Sequence, residues 1–168
     1  MALPADSSFY TAKGYEILAD RELTESLEDY VEMIYRCCQT DNFTRVSILS
    51  LKLNVKPSSA SKMVSKLGLL GFVNYEKYGM IIFTEKGRKA GKYLVWRHNV
   101  LERFFSLLNG APDMREIELC EHCLNFQTVK NMNAATALLI EDHDFKEKLA
   151  KFLKTAAAMG PDPPDYML

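Results

Sequence analysis

The sequence has no run of about 18 consecutive apolar residues, so no segment is long enough to cross a bilayer as a helix. It also has no spaced cysteine framework. Its four cysteines are Cys37, Cys38, Cys120 and Cys123, and 168 residues is long for a disulfide scaffold. Reduced thiols in a reducing compartment are expected. The first residues show no charged-then-apolar signal pattern, which sets the expectation of a cytoplasmic protein with no membrane partner. An excess of one charge is missing as well: the net charge is −1, which excludes a uniformly basic nucleic-acid binder. What is present is ample apolar material, 48% of residues, enough for a packed core and against disorder throughout.

The charge that exists is unevenly placed. Residues 45–97 hold eleven Lys or Arg and only Glu76 and Glu85 as acids, a local charge of +9, and the remainder carries −10. A basic middle between acidic flanks points to a module that faces a polyanion. A solvated face of unequal charge is the plainer alternative. The same stretch has a recognisable punctuation. Thr24 and Ser26 are helix starts, and Leu27, Tyr30, Val31, Ile34 and Tyr35 follow as an apolar stripe. Residues 39–43 read as a polar break. Ser47 is then expected to cap a short helix over 48–53, Asn54 and Val55 to turn, and Pro57 to open a second helix that Gly71 ends. Two short helices about a tight turn form a helix-turn-helix. Residues 72–75 and 80–83 read as strands of a hairpin, with Gly79 suited to positive φ, which makes a wing. Thr84 caps a long helix to about 108, and the rest reads as helices over 117–126, 128–140 and 145–158.

On the expected DNA-facing side, Ser58, Ser59 and Ser61 let the N-terminus of the second helix approach phosphate closely. Lys62 and Lys66 lie one turn apart, and Lys77 and Tyr78 stand at the wing tip. Arg45 and Pro57 complete the set. None of these is an Arg or Asn clearly placed for bidentate base reading, so no operator sequence is legible. A second group of residues carries different chemistry. Asp29 and Glu32 share a face of the first helix. Glu118, Glu121 and His122 share a side of a later one, and His98 lies between them in the chain. A solvated surface is the ordinary reading of each piece alone. As a set, four carboxylates and two imidazoles from three helices would repel without cations, and one or two divalent ions would neutralise them. Oxygen-rich ligation with some imidazole suits Mn2+ or Fe2+ rather than a thiolate metal. Cys120 and Cys123 form a C-x-x-C pair, but no second pair completes a zinc site, and buried free thiols are the preferred reading.

Residues 27–35 (LEDYVEMIY), 57–64 (PSSASKMV), 75–78 (YEKY), Arg97-His98 and 118–122 (ELCEH) together resemble the diphtheria toxin repressor superfamily over about residues 24–126. Within it the chain is most similar to the manganese transport regulator branch. The resemblance implies a mainly α protein: an N-terminal extension (1–22), a winged helix-turn-helix domain (23–92), an all-helical metal-binding and dimerisation domain (93–158) and a loose tail (159–168). It implies the ligand set Asp29, Glu32, His98, Glu118, Glu121 and His122. The iron-sensing branch has Met and Cys in place of Asp29 and Glu118, so Mn2+ is expected before Fe2+. That branch also has an SH3-like domain, for which the residues after 126 leave no room. Departures are the N-terminal extension, Cys123 in place of a frequent second His, and Leu119 and Cys120 in place of smaller or aliphatic residues. The expected function is a metal-dependent repressor, not an enzyme, acting as a homodimer on a double-stranded DNA operator and without a small-molecule substrate. The rivals are an iron-dependent repressor of the same kind and a winged-helix regulator that senses an organic ligand or thiol oxidation.

Overall fold

The computed structural model describes residues 22–156. The expectations for residues 1–21 and for the tail lie outside the described residues. The chain divides into two compact units, one up to Lys92 and one from Tyr93. None of the described helices is long and apolar enough to cross a membrane.

In the first unit α1 (Glu25–Cys37) is followed by β1 (Phe43–Arg45), α2 (Val46–Lys52), α3 (Pro57–Leu69), β2 (Val73–Tyr75) and β3 (Met80–Phe83). The predicted stripe of α1 is the buried one: Leu27, Tyr30, Val31 and Ile34 are all inside. The other buried apolar residues of this unit include Leu49 of α2, Ala60, Val64 and Leu67 of α3, and Phe72, Val73, Ile81 and Phe83 around the sheet. Each fully buried Leu, Ile or Val contributes roughly 1.5–3 kcal/mol, so this cluster is what holds the short helices in place. Pro57 opens α3 in its first turn, and Gly71 at φ +76° ends the connection after it, both as the sequence reading expects.

The sheet differs from that reading. It has three antiparallel strands in the order β1-β3-β2, with Phe43 opposite Ile82 and Val73 opposite Phe83. Residues 39–43, read as a polar break, end in a strand. The helix after it begins at Val46 with Arg45 as its N-cap, ahead of Ser47. A three-residue strand is too short to show the two-residue alternation that sequence patterns rely on. The wing connection is the expected one, residues 76–79, with Gly79 at positive φ. A 3-10 turn, Lys77–Gly79, sits between β2 and β3, and both Tyr78 (φ 64°) and Gly79 (φ 72°) take the left-handed conformation.

Helix α4 (Glu85–Asn109) starts where Thr84 was expected to cap it. The Thr84 hydroxyl accepts from Gly87 N (3.1 Å), and its single proton is within reach of both Gly71 O (2.7 Å) and Phe72 O (3.0 Å). Its first turns pack very close. A Cβ on Gly87 would lie 1.9 Å from Phe72 O, and one on Gly91 would lie 2.6 Å from Tyr35 Cβ.

The second unit holds the rest of α4, then α5 (Met114–Cys120), a 3-10 turn (Glu121–Cys123), α6 (Phe126–Glu141) and α7 (His143–Ala156). The single helix expected over 117–126 is therefore wrong at both ends. Asp113 accepts from Arg115 N (2.9 Å) and starts α5 early. Asn125 accepts from Thr128 N (2.8 Å) and starts α6, so the chain must leave the helix before it. The buried apolar residues here are few: Leu94, Val100, Leu101, Ile117 and Val129. Phe126, Leu138, Ile140, Phe145 and Phe152 are exposed.

Replacing Gly87 by Ala is expected to cost the first unit about 2–3 kcal/mol, because the new methyl meets backbone that cannot yield. Gly71→Ala, which meets nothing within 4 Å but must hold φ +76°, is expected to cost about 1 kcal/mol. Urea unfolding of the two variants checks the order, and equal midpoints would contradict the close contact.

Candidate metal centre and nucleic-acid interface

The helix-turn-helix of the first unit presents its polar residues outward. Arg45, Pro57, Ser58, Ser59, Lys62 and Lys66 are exposed, and Ser61 is half-buried. Lys77 lies in the turn of the wing, and Tyr78 beside it is 91% exposed. A bulky residue that is both solvent-facing and in the left-handed region is locally strained, as residues at binding surfaces often are. One contact that the sequence did not disclose joins the two parts of this surface. The hydroxyls of Ser61 on α3 and Tyr75 on β2 lie 2.9 Å apart, so the helix and the base of the wing share a hydrogen bond. Ser61 is therefore not simply an open approach to phosphate.

Asp29 and Glu32 are both on α1, three residues apart and so on adjoining parts of one side. Asp29 is half-buried and Glu32 is buried. Glu32 accepts two hydrogen bonds from Arg36 one turn later, from Nε (2.8 Å) and Nη2 (2.6 Å), both on Oε1.

The second unit gathers the other four candidate ligands. His98 Nδ1, from α4, lies 3.0 Å from Glu121 Oε2 and 3.8 Å from Glu118 Oε1. His122 Nε2 lies 3.7 Å from Glu121 Oε1, and its Nδ1 lies 3.4 Å from Arg97 Nη2. Glu121 is 2% exposed, and His98, His122 and Arg97 are buried as well. Glu118 is exposed while Glu121 and His122 are buried, yet Glu118 and Glu121 both approach His98 Nδ1 from the same side. The first residue belongs to α5 and the other two to the turn that follows it. Buried carboxylates need cations or hydrogen-bond donors close by. Two imidazoles and two carboxylates within these distances are a donor set that suits a borderline or hard divalent ion, and no thiolate lies among them.

Comparison with known proteins bears on both surfaces. Residues 22–81 match the family described as iron dependent repressor, N-terminal DNA binding domain. The chain is 35% identical over 133 residues to the HTH-type transcriptional regulator MntR of Oceanobacillus iheyensis, covering 78% of this chain and 90% of that protein. To the regulator of the same name in Bacillus subtilis it is likewise 35% identical over 133 residues, covering 78% of this chain and 94% of that protein. Among solved structures it is similar to a manganese-dependent transcriptional repressor in complex with manganese, with 25% identity and a TM-score of 0.60. That likeness covers 66% of this chain and 52% of the other, so the chain spans about half the length of that structure.

The thiols stand apart from this chemistry. All four cysteines are free. Burial pushes the Cys38 thiol up to about 11, the neighbouring Cys37 adds to the rise, and Arg88 opposes it. Burial also raises Cys120, helped by Glu116 and Glu121. A protonated thiol is neither a good nucleophile nor a metal ligand. In the folded protein at pH 7.5, iodoacetamide is expected to alkylate the exposed Cys123 well before Cys38, as read by peptide mass spectrometry. The unfolded chain ionises Cys38 near its ordinary value of 9.0 and the folded chain only near 11, so the unfolded state binds fewer protons in between. The Cys38 contribution to stability is then complete below about pH 9 and lost as pH rises toward 11. Rapid alkylation of Cys38 at neutral pH would reject this account.

Proposed function

This chain belongs to the family of HTH-type transcriptional regulators named MntR, and from that premise we propose that Asp29, Glu32, His98, Glu118, Glu121 and His122 hold the ion that controls its grip on DNA. It is a metal-dependent, DNA-binding transcriptional repressor, and its ion is Mn2+. The observation that carries the ligand assignment is the buried cluster of His98, Glu121 and His122, whose oxygen and nitrogen donors suit Mn2+. The same donors suit Fe2+, and the domain that residues 22–81 match is described as that of an iron dependent repressor, so iron is the second reading.

The bound ion supplies positive charge that lets the carboxylates stand close together. Asp29 and Glu32 belong to the winged-helix unit, and the other four ligands belong to the helical unit. Ligation by both groups makes the placement of the winged helix depend on metal. The protein works as a homodimer in the cytoplasm. The exposed Leu138, Ile140, Phe145 and Phe152 of α6 and α7 support a paired helical unit, since a lone domain rarely leaves so many large apolar side chains in water. In a dimer the two recognition helices must match half-sites about 34 Å apart. An apo dimer that visits other spacings binds more weakly in proportion to the time it spends in them. The raised Cys38 and Cys120 thiols weigh against sensing by thiol oxidation.

Fluorescence anisotropy of labelled operator DNA, titrated with Mn2+, Fe2+ or Zn2+ without oxygen, tests the reading. Mn2+ is expected to tighten binding at least about tenfold, a typical size for such couplings. Asp29→Ala is expected to lose the stimulation and keep the weak metal-free binding, and undiminished stimulation would reject Asp29 as a ligand. Lys62→Ala is expected to weaken binding with and without metal and to lower the salt slope by about 1, as for one lost phosphate contact. An unchanged slope would remove Lys62 from the interface.

A further inference from the structure

Arg36 is a cation of the chain's own, already seated on a carboxylate that the function assigns to a metal. Its Nε and Nη2 both donate to Glu32 Oε1, at 2.8 and 2.6 Å. The pair is set up by sequence: Glu32 precedes Arg36 by four residues on α1, the favourable order for an acid and a base one turn apart. The Glu32 side chain is only 11% exposed, so water screens the pair less than it would at an open surface. Arg36 itself is 39% exposed in the last turn of α1, and its charge cannot be removed by deprotonation.

We propose that Arg36 sets the ion concentration at which the switch operates, by holding Glu32 in the metal-free protein and competing with the incoming cation for it. The proposal rests on Glu32 being a ligand, as assigned above. Two effects act in the same direction. In the metal-free state the two charge-assisted bonds from Arg36 stabilise the ionised Glu32 carboxylate. In the loaded state it either keeps Oε1, placing a positive charge beside the ion, or gives it up. Giving it up is feasible because Arg36 borders a cleft of about 640 Å3 that Asp41 also lines, together with Met33, Phe43, Arg45 and Lys52. A cation that favours the empty site and opposes the filled one raises the metal needed for half-saturation. It thereby keeps the repressor off DNA until the ion is plentiful.

The test is calorimetric titration of Mn2+ into the full chain and into Arg36→Met, Arg36→Lys and Glu32→Gln, with thermal unfolding of each protein free of metal. Arg36→Met is expected to bind Mn2+ about two- to fivefold more tightly, the range set by one partly screened ion pair. It is also expected to melt at a lower temperature than the wild type without metal, and to gain more from added Mn2+. Arg36→Lys keeps the charge and is expected to lie between the two. Glu32→Gln is expected to bind Mn2+ more weakly than the wild type. If Glu32→Gln binds weakly but Arg36→Met binds Mn2+ no more tightly than the wild type, the competition is wrong and the ligand assignment stands. If Glu32→Gln binds Mn2+ as the wild type does, the ligand assignment fails and the competition falls with it.

Discussion

A carboxylate buried to 2% exposure dictates much of the second unit. Glu121 cannot sit there as an isolated charge, because removing an ionised group from water without partners costs far more than a domain's whole stability. Its neighbours are the groups that make the position tolerable: His98 Nδ1 at 3.0 Å, His122 Nε2 at 3.7 Å, and the buried Arg97 beside His122. Such a cluster is polar in a place where Leu94, Val100, Leu101 and Ile117 supply the packing. Apolar residues of the same size would give a better core. Retaining acids and imidazoles there makes sense if a cation is part of the working state, as the proposed ligand set has it.

Most of the first unit was legible because its signals are of the kind that survive in a single sequence. The spacing of Leu27, Tyr30, Val31 and Ile34 is a helical stripe, Pro57 and Gly71 mark a start and a stop, and Thr84 is a cap that the structure uses fully. The strand β1 was not legible. Phe43, Thr44 and Arg45 carry no alternation that three residues could show, and their strand character comes from pairing with Ile82, Ile81 and Met80, far along the chain. The close passage of α4 past Phe72 and Tyr35 was equally hidden, although Gly87 and Gly91, four apart on one side of a helix, were its trace. For the candidate centre, the residue types and their family likeness were readable. The burial of Glu121 against the exposure of Glu118 was not. Helical spacing put them on one side, as their shared approach to His98 agrees, but spacing does not tell how deep each lies, and Asn125, which starts the next helix, requires the chain to leave the first before it. The Arg36 bond to Glu32 lay in plain view as an acid and a base four apart, a pattern too common on solvated helices to single out without the burial.

The proposed DNA-facing surface is consistent with control by a modest geometric device. Its exposed side chains are serines and lysines, with Arg45 beside them, and the charge of residues 45–97 is +9. Contacts of this kind bind the phosphate backbone of any sequence and fade with salt. They leave little discrimination to a single recognition helix. In the proposed dimer, binding is strong only if both half-sites are met together, so spacing adds to what one helix can discriminate. On the proposed reading, affinity for the operator depends on how often the two winged helices of a dimer hold that spacing. A ligand that merely narrows the range of positions can change occupancy by an order of magnitude without adding a single contact to DNA. On that reading, charge on the DNA side and charge at the ion site do separate work: the first brings the protein to nucleic acid, and the second decides whether both halves engage.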